Sequence, residues 1–218
     1  LLEVIERDAV SIWWYGRISR PEMELAHDKI PSWTEFVAWV EACDRQFWIL
    51  DLTHDLGIPV AAAVSCNEEG REISFGFGAA RTPEEAAFSA MGEMVQFELT
   101  RRMRKTPSQP GFLDWCKSAQ FSEYQFLQPD NSLSKRRIRS GINWKSCLNA
   151  LLEHGLAPSI VDCSKLSRST HVVRVVVPGL RYLWPRFAPG RLYNVAVELG
   201  WRPNKLREAE LNPVHILY

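Results

Sequence analysis

The residues best suited to chemistry stand at the start of the chain, in Leu1-Leu2-Glu3-Val4-Ile5-Glu6-Arg7-Asp8-Ala9-Val10. Glu3 and Glu6 are three apart, which on a helix stacks two carboxylates on one face about 5–6 Å from each other. Two like charges that close cost stability unless a cation lies between them. Arg7 follows one step round the helix, within reach of an anion that such a cation would bring. Glu93 and Gln96 repeat the three-residue spacing further along. Hard carboxylates on helices suit Mg²⁺, which takes few protein ligands and completes its shell with water and nucleotide phosphate. Arg7 is the matching donor for a phosphate oxygen. A Mg²⁺–nucleotide site is the sharpest chemistry these residues support. The plainer alternative is a solvated charged helix face.

Other chemistries find less support. The chain contains no G-x-S-x-G, no Walker loop and no Rossmann G-x-G-x-x-G. Phe75-Gly76-Phe77-Gly78-Ala79-Ala80 resembles a phosphate loop only loosely, and its glycines read better as permitting tight packing. The five cysteines (43, 66, 116, 147, 163) are odd in number, widely spaced and without C-x-x-C. They fit reduced thiols in a cytoplasmic protein rather than a disulfide framework or a zinc site. No local sequence recommends one of them as a nucleophile, so the catalytic residue is unknown from sequence. Lys plus Arg (26) balance Asp plus Glu (26), giving no argument for nucleic acid or an acidic membrane surface. The longest apolar runs, such as Ile58 to Val64, are too short to span a bilayer.

The elements that must position these residues follow from periodicity. Apolar residues at 1, 2, 5, 9 and 12 predict a helix to about Tyr15 that carries Trp13 and Trp14 into a core. Ser32 with Glu35 reads as a capping box for a helix from Trp33 to about Asp44, burying Phe36, Val37, Trp39 and Val40. Strands follow at Phe47 to Leu52, at Ile58 to Ser65 (buried on both faces) and at Glu72 to Phe77. Thr82, Pro83 and Glu85 start a helix to about Lys105 with Ala86, Ala90, Met94, Phe97 and Arg101 down one side. Thr106 to Ile142 is irregular and carries the basic run Lys135-Arg136-Arg137-Ile138-Arg139, read as a lid or surface loop. A helix from Trp144 to His154, capped by Gly155, precedes strands at Ser159 to Cys163 and Val172 to Val177. This second helix–strand–strand unit repeats the first, and each places an Asp-x-Thr/Ser turn (Asp51-Leu52-Thr53, Asp162-Cys163-Ser164) between its strands. The expectation is a mixed α/β (α+β) fold of pseudo-symmetric helix–hairpin units packed on a mixed sheet. The tail from Arg181 reads as mostly irregular, with an apolar terminus tucked in.

Several stretches together resemble the C-terminal half of a YcaO-type enzyme. They are Leu1 to Ala9, the Asp51-Leu52-Thr53 to Val64 hairpin, Gly76 to Ala86 leading to Glu93 and Gln96, Val172 to Leu180, and Trp184 to Tyr193. The resemblance covers nearly the whole chain. It implies an α/β fold with a nucleotide site between its halves, and ATP and Mg²⁺ as cofactors. It implies an enzyme that activates backbone amides of a ribosomal precursor peptide, with azoline, thioamide or amidine products. Carried over by position, Glu3 and Glu6 match the Mg²⁺-contacting pair and Arg7 the arginine near the phosphates, with Glu93 and Gln96 in a family-like helix. The chain, 1–218, then reads as the C-terminal portion of a single YcaO-like domain whose N-terminal half, with its own acidic helix, is missing, so that the fragment alone would be inactive. A leader-binding partner protein and a homodimer are left open, and the competing class is a non-catalytic scaffold that presents the peptide to a partner enzyme. The family's azoline-forming members often end in a Pro-x-Pro-x-Pro tail, whereas this tail has only Pro213 before Val214-His215-Ile216.

Overall fold

In the computed structural model, residues 1–103, 111–133, 142–164 and 171–216 are described. The basic run at 135–139 lies outside them. The fold is built around a three-stranded antiparallel sheet of β1 (Arg45–Asp51), β2 (Val60–Asn67) and β3 (Ser74–Ala79), in the order β1-β2-β3. Helix α1 (Leu2–Gly16) lies on one face of it, and α3 (Pro83–Met103) covers the other. The run over β2 is buried on both faces, as its continuous apolar sequence predicts. Val60, Ala62 and Val64 join Trp13, Trp14, Phe75 and Phe77 in the aromatic core under α1. Ala61 and Ala63 face Ala86, Ala90, Met91 and Met94 of α3.

Small residues bring α3 unusually close to the sheet. A Cβ on Gly76 would stand 2.1 Å from the Ala90 carbonyl oxygen, and one on Gly78 2.4 Å from that of Ala86. The glycines of the Phe-Gly-Phe-Gly stretch are therefore packing devices. Gly76→Ala is expected to cost about 3 kcal/mol, because backbone rather than a flexible side chain must move. Chemical denaturation would check this, and a loss under about 0.5 kcal/mol, typical of a neutral surface site, would contradict it.

Helix α3 starts as expected, with the Glu85 amide donating to Thr82 Oγ1 at 3.1 Å. The Glu85 carboxylate turns instead to the amide and guanidinium of Arg81. At its far end the buried Glu98 accepts from Ser74 Oγ, Arg101 and Arg102 and pairs with Arg45. Burial alone would raise the Glu98 pKa, but these partners hold it below its ordinary value. The predicted α2 runs Trp33–Ala42, yet Ser32 has φ +55° and caps nothing. Of its apolar residues only Val40 is fully buried; Phe36 instead packs edge-on against Phe47.

The internal repeat is present in atomic detail. In the first unit the Thr53 amide donates to Asp51 Oδ1 (2.9 Å), the Val60 amide to Thr53 Oγ1 (3.3 Å) and the Leu52 amide to the Val60 carbonyl (2.8 Å). In the second, Ser164 donates to Asp162 Oδ1 (2.8 Å), Val172 to Ser164 Oγ (2.9 Å) and Cys163 to the Val172 carbonyl (2.8 Å). The Asp-x-Thr/Ser turn is thus an Asx turn whose hydroxyl also fastens the returning strand. Helix α5 (Trp144–Glu153) precedes this second hairpin of β4 (Ser159–Asp162) and β5 (Val173–Val176), as α2 precedes the first.

Three expectations need correction. Among the described residues both sheets are wholly antiparallel rather than mixed, because each is a hairpin or hairpin extension. Helix α4 (Phe112–Ser118) forms within the stretch expected to be irregular, where Phe112 and Trp115 pack edge-on against Trp14 in the core. Helix α6 (Arg191–Glu198) forms in the tail, burying Leu192, Val195 and Ala196. The terminus is tucked in as expected: Ile216 is buried, and Trp14 Nε1 donates to the Val214 carbonyl at 2.6 Å. No helix among the described residues is long and apolar enough to cross a membrane.

Candidate nucleotide–metal site

The edge strand β3 organises the candidate site. Its outer amides, at Phe77 and Ala79, are each taken by a glutamate from a flanking helix. Glu6 Oε2 of α1 accepts from Ala79 at 3.0 Å, and Glu93 Oε2 of α3 accepts from Phe77 at 2.5 Å. These bonds cover strand amides that would otherwise stay open to another chain. They also bring the two carboxylates together beside Arg7. Burial, then the charge of Glu93, pushes the Glu6 carboxyl up to about 7. Burial likewise raises Glu93, opposed by its Phe77 hydrogen bond and by Arg7.

The pairing differs from the one the spacing suggested. Glu93 disfavours the charged form of Glu6 more than Glu3 does. Glu3 is largely exposed and pairs with Arg7 one turn on, the i,i+4 ion pair of the plainer reading. The close carboxylates are therefore Glu6 and Glu93, supplied by two helices. Gln96 is exposed one turn further along α3. Sequence spacing could reveal the i,i+3 pair on one helix, but not the pairing across β3.

No group of three or more His, Cys, Asp or Glu side chains able to hold a metal occurs among the described residues. The donor set still fits Mg²⁺. A pair of hard carboxylates, each using one oxygen on a backbone amide and both destabilised as anions, suits an ion that is held by one or two carboxylates plus phosphates. Arg7 also lines a cavity of about 740 Å³, together with Glu3, Tyr182, Trp184, Arg174 and Arg186, whereas Glu6 and Glu93 do not line it. A cationic, aromatic-lined cavity that shares Arg7 with the paired carboxylates suits a phosphate-bearing ligand. Burial raises Cys66, Cys116 and Cys147 away from the thiolate.

A buried ionic cluster supports α1 from behind and was not visible in the sequence. Arg191 of α6 donates to Asp8 Oδ2 (2.8 Å) and to both oxygens of Asp55 (2.7 and 2.8 Å). His54 lies 3.2 Å from Asp8 Oδ2 and 3.2 Å from Asp55 Oδ1. Against the effect of burial, Arg191 and His54 pull Asp55 down to about 2 and lower Asp8 as well. Separations of 136 and 183 residues along the chain explain why no local pattern announced this cluster.

The chain is similar to known proteins over most of its length. The chain is similar to an uncharacterized protein of Methanothermobacter thermautotrophicus (strain ATCC 29096 / DSM 1053 / JCM 10044 / NBRC 100330 / Delta H), 27% identical over 197 residues, which make up 83% of this chain and 51% of that one. Its structure is similar to that of a heterocyclase in complex with substrate and cofactor, at TM-score 0.85 and 33% identity over 98% of this chain and 30% of that chain. It is also similar to YcaO from Methanopyrus kandleri bound with AMPPCP and Mg²⁺, at TM-score 0.58 and 27% identity over 82% of this chain and 50% of that one. The chain thus spans about half the length of the curated relative it matches. With residues 1–181 matching the family described as YcaO cyclodehydratase, ATP- and Mg²⁺-binding, the chain belongs to the YcaO family, whose cofactors are ATP and Mg²⁺.

Proposed function

We propose that this chain is the C-terminal portion of an ATP- and Mg²⁺-dependent enzyme that modifies backbone amides of a ribosomal precursor peptide in a cyclodehydratase-like reaction. The observation that carries the reading is the Glu6–Glu93 pair beside Arg7, two half-buried carboxylates from different helices whose pKa values are raised, Glu6 by burial and then by the charge of Glu93, and Glu93 by burial. In this reading Glu6 and Glu93 ligate Mg²⁺ across β3, Glu3 and Gln96 flank that pair on the exposed faces of their helices, and Arg7 neutralises phosphate charge. ATP supplies the phosphoryl group that turns an amide oxygen into a leaving group. This chain's part is to position charge: Arg7 would neutralise phosphate oxygens, and Glu6 with Glu93 would hold the cation that shares that charge. The similarity to a heterocyclase solved with substrate and cofactor supports a heterocyclase-like reaction on a bound substrate. The full activity is proposed for the longer protein, and a leader-binding partner and a cytoplasmic setting go with it.

The test is to incubate the chain, extended to the length of its relatives, with ATP, Mg²⁺ and a Cys-containing precursor peptide. A product lighter by one water per ring, with the amide's heavy-oxygen label recovered in phosphate, is expected. Peptide binding without ATP turnover would favour the non-catalytic scaffold. Metal loading should also depend on pH. Glu6 must lose its proton to bind Mg²⁺, so apparent affinity should fall roughly tenfold per pH unit below its value of about 7. Mg²⁺ titration of the nucleotide complex at pH 6 and pH 8 checks this, and equal affinities would contradict it.

A further inference from the structure

A polar stripe on α1 fastens a distant segment of the chain. Asp8, Ser11 and Tyr15, at helical spacings of three and four, are all buried. Asp8 Oδ1 accepts from the Arg181 amide (2.7 Å), Ser11 Oγ donates to the Tyr182 carbonyl (2.8 Å), and Tyr15 Oη donates to the Leu183 carbonyl (2.6 Å). The segment that follows is closed on itself, since the Arg181 guanidinium donates to the carbonyls of Ala188 and Pro189 at 2.7 Å. It ends at Arg191, which grips the other oxygen of the same Asp8. One buried carboxylate therefore holds both ends of the 181–191 loop.

The backbone of Tyr182 is pinned on both sides, and its ring is the part left to face the cavity. The Arg7 guanidinium lies over that ring, 4.6 Å from the centroid. We infer that residues 181–183 are a strap that positions Arg7, with the Tyr182 ring as its working surface, for whatever phosphate enters the cavity. The inference rests on the nucleotide reading given above. An arginine that also pairs with the exposed Glu3 has two holds on it. The aromatic face keeps the guanidinium planar against the cavity wall while leaving its edge N–H groups for a phosphate, which an ion pair alone would occupy. Tyr182 is accordingly a positioning residue acting through Arg7.

The experiment is ATP-Mg²⁺ calorimetry on the chain extended to its relatives' length, comparing wild type, Tyr182→Phe and Tyr182→Leu, each also in an Arg7→Ala background. Tyr182→Leu keeps bulk but removes the aromatic face, and should weaken binding about three- to tenfold. Tyr182→Phe should stay within about twofold of wild type, since the ring is retained. In the Arg7→Ala background neither change should have any further effect. If Tyr182→Leu binds like wild type, or still weakens binding without Arg7, the strap has no such role, the second outcome assigning Tyr182 to the ligand directly. A Glu6→Gln control separates the two claims. If that variant binds ATP-Mg²⁺ normally, the nucleotide reading fails and the strap's role falls with it; if it does not bind, the Tyr182 result judges the strap alone.

Discussion

Glu6→Gln is expected to stabilise the metal-free protein by about 2–3 kcal/mol at pH 8 while removing its response to Mg²⁺. The sign follows from the direction of the shift. The folded-state pKa of Glu6, about 7, lies above its ordinary 4.5. Its ionisation therefore costs the fold nothing below pH 4.5, and the cost grows as pH rises to about 7 and stays beyond it. Glutamine can still accept from the Ala79 amide through its carbonyl oxygen, so the edge of β3 stays covered while the charge is gone. Sites that hold a charge at such a desolvation cost are ones where stability has been exchanged for binding. Thermal midpoints of wild type and variant at pH 5 and pH 8 would show it: the two proteins should differ little at pH 5 and clearly at pH 8. A variant less stable than wild type at pH 8 would mean that Glu6 is a purely structural ion-pair partner.

Arg191→Met is expected to lose about 3–5 kcal/mol, the largest single effect on folding anticipated for this chain. The guanidinium neutralises Asp8 and Asp55 together, and methionine would leave two carboxylates without their main cation in a buried site. The triple variant Arg191→Met, Asp8→Asn, Asp55→Asn should recover much of that loss, since no bare charge is then left behind. Urea unfolding of the set provides the check; a single variant within about 1 kcal/mol of wild type, the middle of the range for ordinary substitutions, would show the cluster to be energetically idle. The same cluster makes the fold acid-sensitive. Asp55 is depressed from 3.8 to about 2, so its contribution is complete above pH 3.8 and is lost as pH falls towards 2. That window is worth about 2 kcal/mol and should be absent in Asp55→Asn.

Much of what positions the site could be read in the sequence, because it is local. The E-x-x-E-R helix, the Thr82-Pro83 start of α3, the doubly buried β2 and the repeated Asp-x-Thr/Ser turn all depend on neighbours within about ten residues. The glycines of β3 were legible as packing residues because Ala86 and Ala90 supplied a matching small face. The rest depends on contacts that no spacing encodes. Glu6 meets Glu93 only because β3 lies between α1 and α3, and Arg191 reaches Asp8 only once α6 has docked on α1. Helix α6 itself went unseen because prolines and glycines crowd its approach, although Leu192, Val195 and Ala196 carry helical spacing. The two Val-rich hairpins show the same limit in another way. Their turns are alike bond for bond, yet β2 is buried while Val173 and Val176 of β5 are exposed. The difference is made by β3 and α3, which accompany the first hairpin only.

The central claim is that Glu6, Glu93 and Arg7 form part of an ATP-Mg²⁺ site. Calorimetric titration of ATP-Mg²⁺ into the chain extended to its relatives' length, as wild type, Glu6→Gln and Glu93→Gln, tests it most directly. Saturable binding by the wild type that falls at least about a hundredfold in Glu6→Gln, and substantially in Glu93→Gln, is the predicted result, since removing a metal ligand removes the cation that bridges protein and phosphate. Equal affinity in all three proteins, or no binding by the wild type, would contradict it and leave the two glutamates as covers for the open edge of β3.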